Sequence, residues 1–395
     1  MIFFSMSKTN LKPKNWRKVK LGEVTALITK GTTPTTIGGN FTDKGINFIK
    51  VESITEEGRF FPNKFDYINE NTNSLLKRSI IEENDILYSI AGSIGRIAFV
   101  TKNELPANTN QALAIIRLNT EKAYPKYLFY ALSTHLQRTL ANNLVAQSVQ
   151  ANINLKQVSE FEVLLPDLNE QKRIAKTLSA FDDKIELNNK INQALEQIAQ
   201  AIFKEWFVLP CKASVYGGKL PEGWKMRKIT EIIKRLPVGK KYDNKNALAK
   251  GKIPILDQGQ SGFIGFHNGE PGVKATIKNP VIVFTNHTCY YRLLTQNFSC
   301  IQNVLPYIGN NSYPTLFIYF LTKGKIKMQE YKGHWPEFEE QVFAIPPIDL
   351  AEKFSDSIQS LIKKIVINEN ENKKLLSLRN LLLPKLMSGK IRVKL

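Results

Sequence analysis

Two stretches of this chain carry one seam pattern 180 residues apart, and burying such a seam requires a partner helix. In the first, Ile174, Leu178, Phe181, Ile185, Asn188, Asn192, Leu195, Ala199, Ile202 and Trp206 recur at alternating steps of four and three. In the second, the same steps fall on Phe354, Ile358, Leu361, Ile365, Asn368, Asn372, Leu375, Arg379, Leu382 and Leu386. Steps of this kind, kept over several heptads, describe coiled-coil helices. An apolar stripe by itself would also fit the core face of any helix. A pair of asparagines at equivalent seam positions in both copies does not, because a polar seam residue costs stability and fixes register. The coincidence points to duplication.

The repeat extends beyond the helices. Pro13-Lys14-Asn15-Trp16 returns as Pro221-Glu222-Gly223-Trp224, and Tyr124-Pro125 as Tyr313-Pro314. Val163-Leu164-Leu165-Pro166 is matched by Phe343-Ala344-Ile345-Pro346-Pro347 just before the second helix. The offset falls from 208 to 180 along the chain, so the second globular segment is shorter, by about 28 residues. Interiors that change length between matching borders suit one scaffold diverged toward different targets. Gly45–Ile49, Asp85–Tyr88, Gly251–Leu256 and Val281–Phe284 read as strands separated by polar, glycine-bearing loops. The expected fold class is therefore α+β: two mixed β-rich domains separated by two long antiparallel coiled-coil helices, with an internal pseudo-twofold. We divide the chain into an extension (1–14), a first domain (15–169), a first helix (170–208), a linker (209–222), a second domain (223–347), a second helix (348–388) and a tail (389–395).

A chain of 395 residues exceeds what a single core usually supports. Three cysteines without metal-ligand spacing or an even disulfide framework, and no apolar run of membrane-spanning length, lead us to expect a soluble cytoplasmic protein. The opening residues are too short for a signal sequence and are expected to be a disordered extension. The formal net charge is +20. It is spread as +5 over residues 1–169, zero over 170–208, +10 over 209–346 and +5 over 347–395. A basic excess held outside the first helix favours a polyanion partner, since each phosphate contact releases counterions.

Taken in this duplicated order, several segments resemble the specificity subunit of a type I restriction-modification enzyme. They are the two Pro-x-x-Trp openings, Pro166-Asp167-Leu168-Asn169-Glu170-Gln171-Lys172-Arg173-Ile174, Lys184–Asn192, Ala201–Phe207 and Leu382–Gly389. The second copy departs from the first, with Asp349-Leu350-Ala351-Glu352-Lys353-Phe354 in place of the run ending at Ile174. The resemblance implies two target-recognition domains that each read half of a bipartite, asymmetric double-stranded DNA site. It implies two methyltransferase subunits and restriction/translocase subunits as partners, in a bacterial or archaeal cytoplasm without membrane attachment. S-adenosylmethionine, ATP and Mg would then sit on those partners, and this chain would bind no cofactor.

An antiparallel pairing places Asn188 against Asn372, Asn192 against Asn368, Ile185 against Leu375, Trp206 near Phe354 and Ile174 near Leu386. The asparagines would also meet in a parallel pair, so direction rests on the resemblance. Helix 170–206 would rise about 55 Å, long enough for a spacer.

Base edges are read by Arg, Lys, Asn, Gln, Ser and Thr. In the first domain the candidates are Lys30, Thr32, Thr33, Ser93, Arg96, Asn110, Gln111, Gln147, Ser148 and Gln150. In the second they are Lys240, Lys241, Gln258, Gln260, Ser261, His267, Asn268, Asn286, His287, Tyr291, Arg292, Lys332, His334 and Trp335. Each could equally be a solvated turn residue, since these types also build turns; the set is what favours DNA. The four histidines lack ligand spacing, and we expect no metal site. Gly31–Gly39 lacks the Gly-Lys-Ser/Thr end of a P-loop, and no Asn-Pro-Pro-aromatic element is present. A non-catalytic recognition subunit is therefore expected. The rivals are a stand-alone DNA-modifying or DNA-cleaving enzyme, and a coiled-coil adaptor whose basic surface is incidental.

Overall fold

The computed structural model describes residues 3–6, 15–134, 152–211, 219–259, 262–328, 330 and 332–394. It divides into two units, residues 1–185 with 374–395, and residues 186–373. Each unit contains one globular domain, the start of one long helix and the end of the other.

In the first unit the strands are β1 (Phe3–Met6), β2 (Arg17–Lys20), β3 (Thr25–Lys30), β4 (Phe41–Thr42), β5 (Ile46–Ile49), β6 (Asp66–Ile68), β7 (Ile86–Ser89), β8 (Ile97–Phe99), β9 (Ala107–Thr109), β10 (Leu113–Leu118) and β11 (Glu162–Leu165). One sheet has the order β3-β10-β7-β8 and a second the order β4-β6-β5-β9, while β2 pairs with β11. β5 and β9 run parallel. The β7 and β10 strands are buried on both faces, which explains their unbroken apolar runs. Alternate residues serve different cores. Ile86, Tyr88, Ala114 and Ile116 face the helix-side core with Ile174 and Leu178. Leu87, Leu113 and Ile115 join Ile49 and Ile54 in a separate core.

The second unit repeats this plan with β12 (Lys225–Lys228), β13 (Ile233–Arg235), β14 (Ile253–Leu256), β15 (Phe263–His267), β16 (Val281–Thr285), β17 (Tyr291–Leu294), β18 (Ser299–Cys300), β19 (Val304–Gly309) and β20 (Val342–Ile345). The order β13-β19-β16-β17 matches the first sheet strand for strand, and β12 pairs with β20. β14 and β18 run parallel, as β5 and β9 do. The second sheet has three strands, β15-β14-β18, with no counterpart of β4 among the described residues. About a third of the length difference sits in one connection: residues 50–65 join β5 to β6, whereas 257–262 join β14 to β15.

The long helices run Leu168–Phe203 and Ile348–Met387, the first continuing through a wider π-helical turn at Lys204–Val208. Asp167 caps the first, its carboxylate accepting the Glu170 amide at 2.8 Å. Within the first unit, Ile174, Ala175 and Leu178 share a core with Leu383, Leu386 and Met387. Within the second, Ala199 and Phe203 share one with Phe354, Ile358 and Ile362, and the Trp206 and Phe354 rings lie 6.3 Å apart. Asn188 Nδ2 donates to Asn372 Oδ1 and Asn368 Nδ2 to Asn192 Oδ1, both at 2.8 Å. Position rises on one helix as it falls on the other, so the pairing is antiparallel. Among the seam positions, Ile174, Leu178, Ile185, Asn188, Ala199, Phe354, Ile358, Asn368 and Leu386 are buried and the others half-buried. The buried face is wider than that seam, since Ile362 and Val366 are buried too.

Two expectations change. Phe3–Met6, expected to be disordered, forms β1 and pairs antiparallel with β21 (Ile391–Lys394) of the tail. The departure of the second copy from the Glu-Gln run also gains a physical reason. Glu170, 1% exposed, accepts two bonds from the Arg392 guanidinium at 2.7 Å and one from Trp16 Nε1 at 3.1 Å. Gln171 accepts from the Tyr124 amide and donates to Pro166 O, both at 2.8 Å. At the equivalent places in the second copy, Leu350 and Ala351 belong to an apolar core.

Candidate nucleic-acid interface

In the first unit the structure gathers five of the candidate residues where the turn after β3 meets the turn before β10. The Gly31 amide donates to Asn110 O at 3.1 Å, Thr33 Oγ1 donates to Gln111 Oε1 at 2.8 Å, and Asn110 Oδ1 accepts the Ala112 amide at 3.0 Å. Thr32 lies in the same turn, and Lys30 ends the strand that leads into it. Only glycine fits at position 31, because a Cβ there would lie 1.7 Å from Thr109 O. The bond from Thr33 orients the amide of Gln111, an exposed side chain. Arg78, which the loop chemistry did not single out, joins this group by donating to Thr32 Oγ1 at 3.3 Å. Its only sequence signal is the adjacent basic pair Lys77-Arg78 in a 3-10 turn. Ser93 is exposed on a different turn. Gln147, Ser148 and Gln150 lie outside the described residues.

Arg96 is not presented in this way. Its Nη1 donates to Ile54 O at 3.1 Å and Val51 O at 3.4 Å, so that nitrogen serves the chain itself.

In the second unit three loops converge. The His287 amide donates to Gln258 Oε1 at 3.1 Å, and Thr288 Oγ1 donates to Gln258 O at 2.5 Å. His287 Nδ1 lies 3.0 Å from Lys332 O, and Asn286 Oδ1 accepts the Trp335 amide at 2.8 Å. Lys332 is exposed and bonded to Glu337, which raises its pKa; the Glu337 carboxyl is held below its ordinary range by bonds from His334 and Lys332. Lys240 and Lys241 are exposed, and the Lys240 ammonium lies 5.4 Å from the Tyr242 ring. Asn268 is exposed and accepts the Lys252 amide at 3.1 Å. Gln260 and Ser261 lie outside the described residues.

Several candidates of the second domain prove to be internal. His267 is 5% exposed: its Nδ1 accepts the Gly269 amide at 3.1 Å and its Nε2 lies 2.9 Å from Ser299 Oγ. Burial, assisted by Lys240, lowers its pKa. His334 is fully buried and Trp335 6% exposed. The Tyr291 hydroxyl is buried, which pushes its pKa up. Arg292 donates from Nη1 to Gly262 O at 2.6 Å and from Nη2 to Gly259 O. In this structure these side chains bond to, or are buried against, the chain's own loops. Sequence alone missed this because a polar residue in a glycine-rich loop looks the same whether it faces water or a carbonyl.

Among the described residues no group of three His, Cys, Asp or Glu side chains is placed to hold a metal, and no helix is long and apolar enough to cross a membrane.

Residues 13–197 match a family model described as type I restriction modification DNA specificity domain. The chain is 26% identical to the type I restriction enzyme MjaIX specificity subunit of Methanocaldococcus jannaschii, over 96% of this chain and 94% of that protein. It is 36% identical to the HindI specificity subunit of Haemophilus influenzae over 33% of this chain and 29% of that one. In fold it is similar to the crystal structure of the type I restriction-modification S subunit from M. genitalium, with a TM-score of 0.53, 19% identity, and coverage of 97% and 98% of the two chains.

Proposed function

We propose that the chain is the DNA-reading specificity subunit of a type I restriction-modification complex, one recognition domain serving each half of a bipartite site; the family-model match over residues 13–197 and the similarity to the MjaIX subunit along nearly the whole chain support this. The observation that carries this is one strand order built twice, each copy displaying a different set of polar loop residues. In the first domain Lys30, Thr32, Thr33, Gln111 and Arg78 are the contact residues; in the second, Gln258, Asn286, His287 and Lys332 are, with Lys240 and Lys241 on the backbone phosphates. Glutamine and asparagine suit adenine edges, and lysine suits phosphate or guanine.

The same duplication supports methyltransferase subunits as partners. Leu187 is 51% and Ile198 48% exposed on the first helix, and their equivalents 180 residues on, Ile367 and Leu378, are 47% and 48% exposed. Large apolar residues left in water at matching places of two copies suit two copies of one partner. S-adenosylmethionine, ATP and Mg then belong to the methyltransferase and translocase subunits, and the complex works in the cytoplasm.

The test is to co-express the chain with its methyltransferase subunit and sequence the methylated DNA. A split motif with a fixed gap is expected, changing in one half when one domain is replaced. Methylation or cleavage by the purified chain alone would establish the enzyme reading instead, and absence of sequence-selective protection in the complex would establish the adaptor.

A further inference from the structure

The two arginines that look most like base readers do the same internal job in both domains. β5 and β14 are equivalent strands, each central to its second sheet and each paired parallel to a later strand. Arg96 stands just before β8 and Arg292 in β17, the matching edge strands of the other sheet. Arg96 donates to Val51 O and Ile54 O, in the connection that follows β5. Arg292 donates to Gly259 O and Gly262 O, in the connection that follows β14. The two connections differ in length and sequence, yet both are held by a guanidinium on main-chain oxygens.

We propose that Arg96 and Arg292 are positioning residues that set the conformation of this connection in each domain, and that Arg292 thereby holds Gln258 for base contact; this rests on the DNA-reading function above. Arg292 spans its two carbonyls with a planar fork, one donor on each terminal nitrogen, whereas Arg96 reaches both of its carbonyls from Nη1; a lysine ammonium on a flexible stem does not match the planar fork. Gly262 makes the approach possible. Its φ is +92°, and a Cβ there would lie 3.1 Å from Arg292 Nη1. Asp257, 4.0 Å from Nη2, balances the charge. Gln258, next to the Gly259 anchor, is held from the opposite side by the His287 amide and the Thr288 hydroxyl. Loss of the fork therefore frees one side of the loop while the other stays tied, so that Gln258 is misplaced and not removed.

The experiment compares Arg292→Ala, Arg292→Lys and Gly262→Ala, each in the full chain with its methyltransferase subunits. Amide hydrogen exchange over residues 257–262 is measured without DNA, and the methylated motif and the salt dependence of binding with it. Exchange about tenfold faster or more is expected in all three. Recognition should relax in one half-site only, with the salt slope unchanged. Gly262→Ala should reproduce the effect with the arginine in place. The proposal is overturned if loop exchange is unchanged in Arg292→Ala. It is equally overturned if Arg292→Lys reads its motif normally while Arg292→Ala weakens every sequence alike and lowers the salt slope by about one, the signature of a phosphate contact. If the native complex showed no split motif, the functional reading would fall, and the exchange result would still decide whether the arginine holds the loop.

Discussion

Replacing Arg392 by alanine tests how the first unit is closed. Its guanidinium makes two 2.7 Å bonds to Glu170, a carboxylate only 1% exposed, while Arg392 itself keeps 40% of its side-chain surface in water. Removing one partner of a fully buried ion pair costs about 3–5 kcal/mol, because the other charge stays behind without compensation. Water can enter where Arg392 stood, so the expected cost is lower, about 2–3 kcal/mol, in line with charge-assisted hydrogen bonds. For the roughly 200 residues of the first unit this lowers the melting transition by about 5–10 °C, readable by calorimetry. The second copy supplies the control, since Leu350 occupies the place equivalent to Glu170. Glu170→Leu combined with Arg392→Leu should return to within about 1 kcal/mol of the native chain, the residue being the acceptor lost by Trp16 Nε1. A shift below about 1 °C in Arg392→Ala, or a double variant less stable than the single one, would refute the reasoning.

Three further outcomes are expected. The depressed pKa of His267 means that the folded second unit binds its proton more weakly than the unfolded chain does. Its contribution to stability is present above the ordinary histidine pKa and is lost as pH falls below it, so acidification from pH 7 to 5 should lower the second unit's melting temperature; His267→Gln should flatten that profile, and a native profile already flat would count against it. Asn188 and Asn368 each leave a buried amide oxygen without a partner. Asn188→Leu with Asn372→Leu should therefore stabilise the helix pair by about 1 kcal/mol while broadening the interhelix spin-label distances, and a loss of stability would contradict the register role. In the first domain, Arg78→Ala should weaken binding to all sequences and lower the salt slope by about one, whereas Gln111→Ala should relax one half-site by about 1–3 kcal/mol; the reverse pattern in competition binding would exchange their roles.

The helix pair was legible because its information is periodic. Steps of four and three survive in any sequence that buries a seam, and the asparagines marked its register. Strands β7 and β16 were legible for a related reason, being buried on both faces and so apolar without a break. Sheet order was not legible, since the parallel pairing of β5 with β9 joins residues about 60 apart with no local signal. The loop chemistry was half legible. Gln111, which the structure leaves exposed, and His267, Arg96 and Arg292, whose polar atoms bond to the chain itself, looked alike in the sequence. β1 was missed because a short edge strand gains its stability from a partner, here β21, almost 400 residues away.

That pairing also bears on the order in which the protein can be made. The first unit needs Leu383, Leu386, Met387, Ile391 and Val393 to cover Ile174 and Leu178, and Arg392 to neutralise Glu170. All of these leave the ribosome after the whole second unit. While residues 186–373 are being synthesised, the first domain waits with an open apolar flank and an unpaired buried carboxylate, although domains ordinarily fold as they emerge. A chain interrupted near residue 373 would consequently lose its N-terminal domain before its C-terminal one, a reversed polarity of damage that follows from the two ends of the sequence meeting in one sheet.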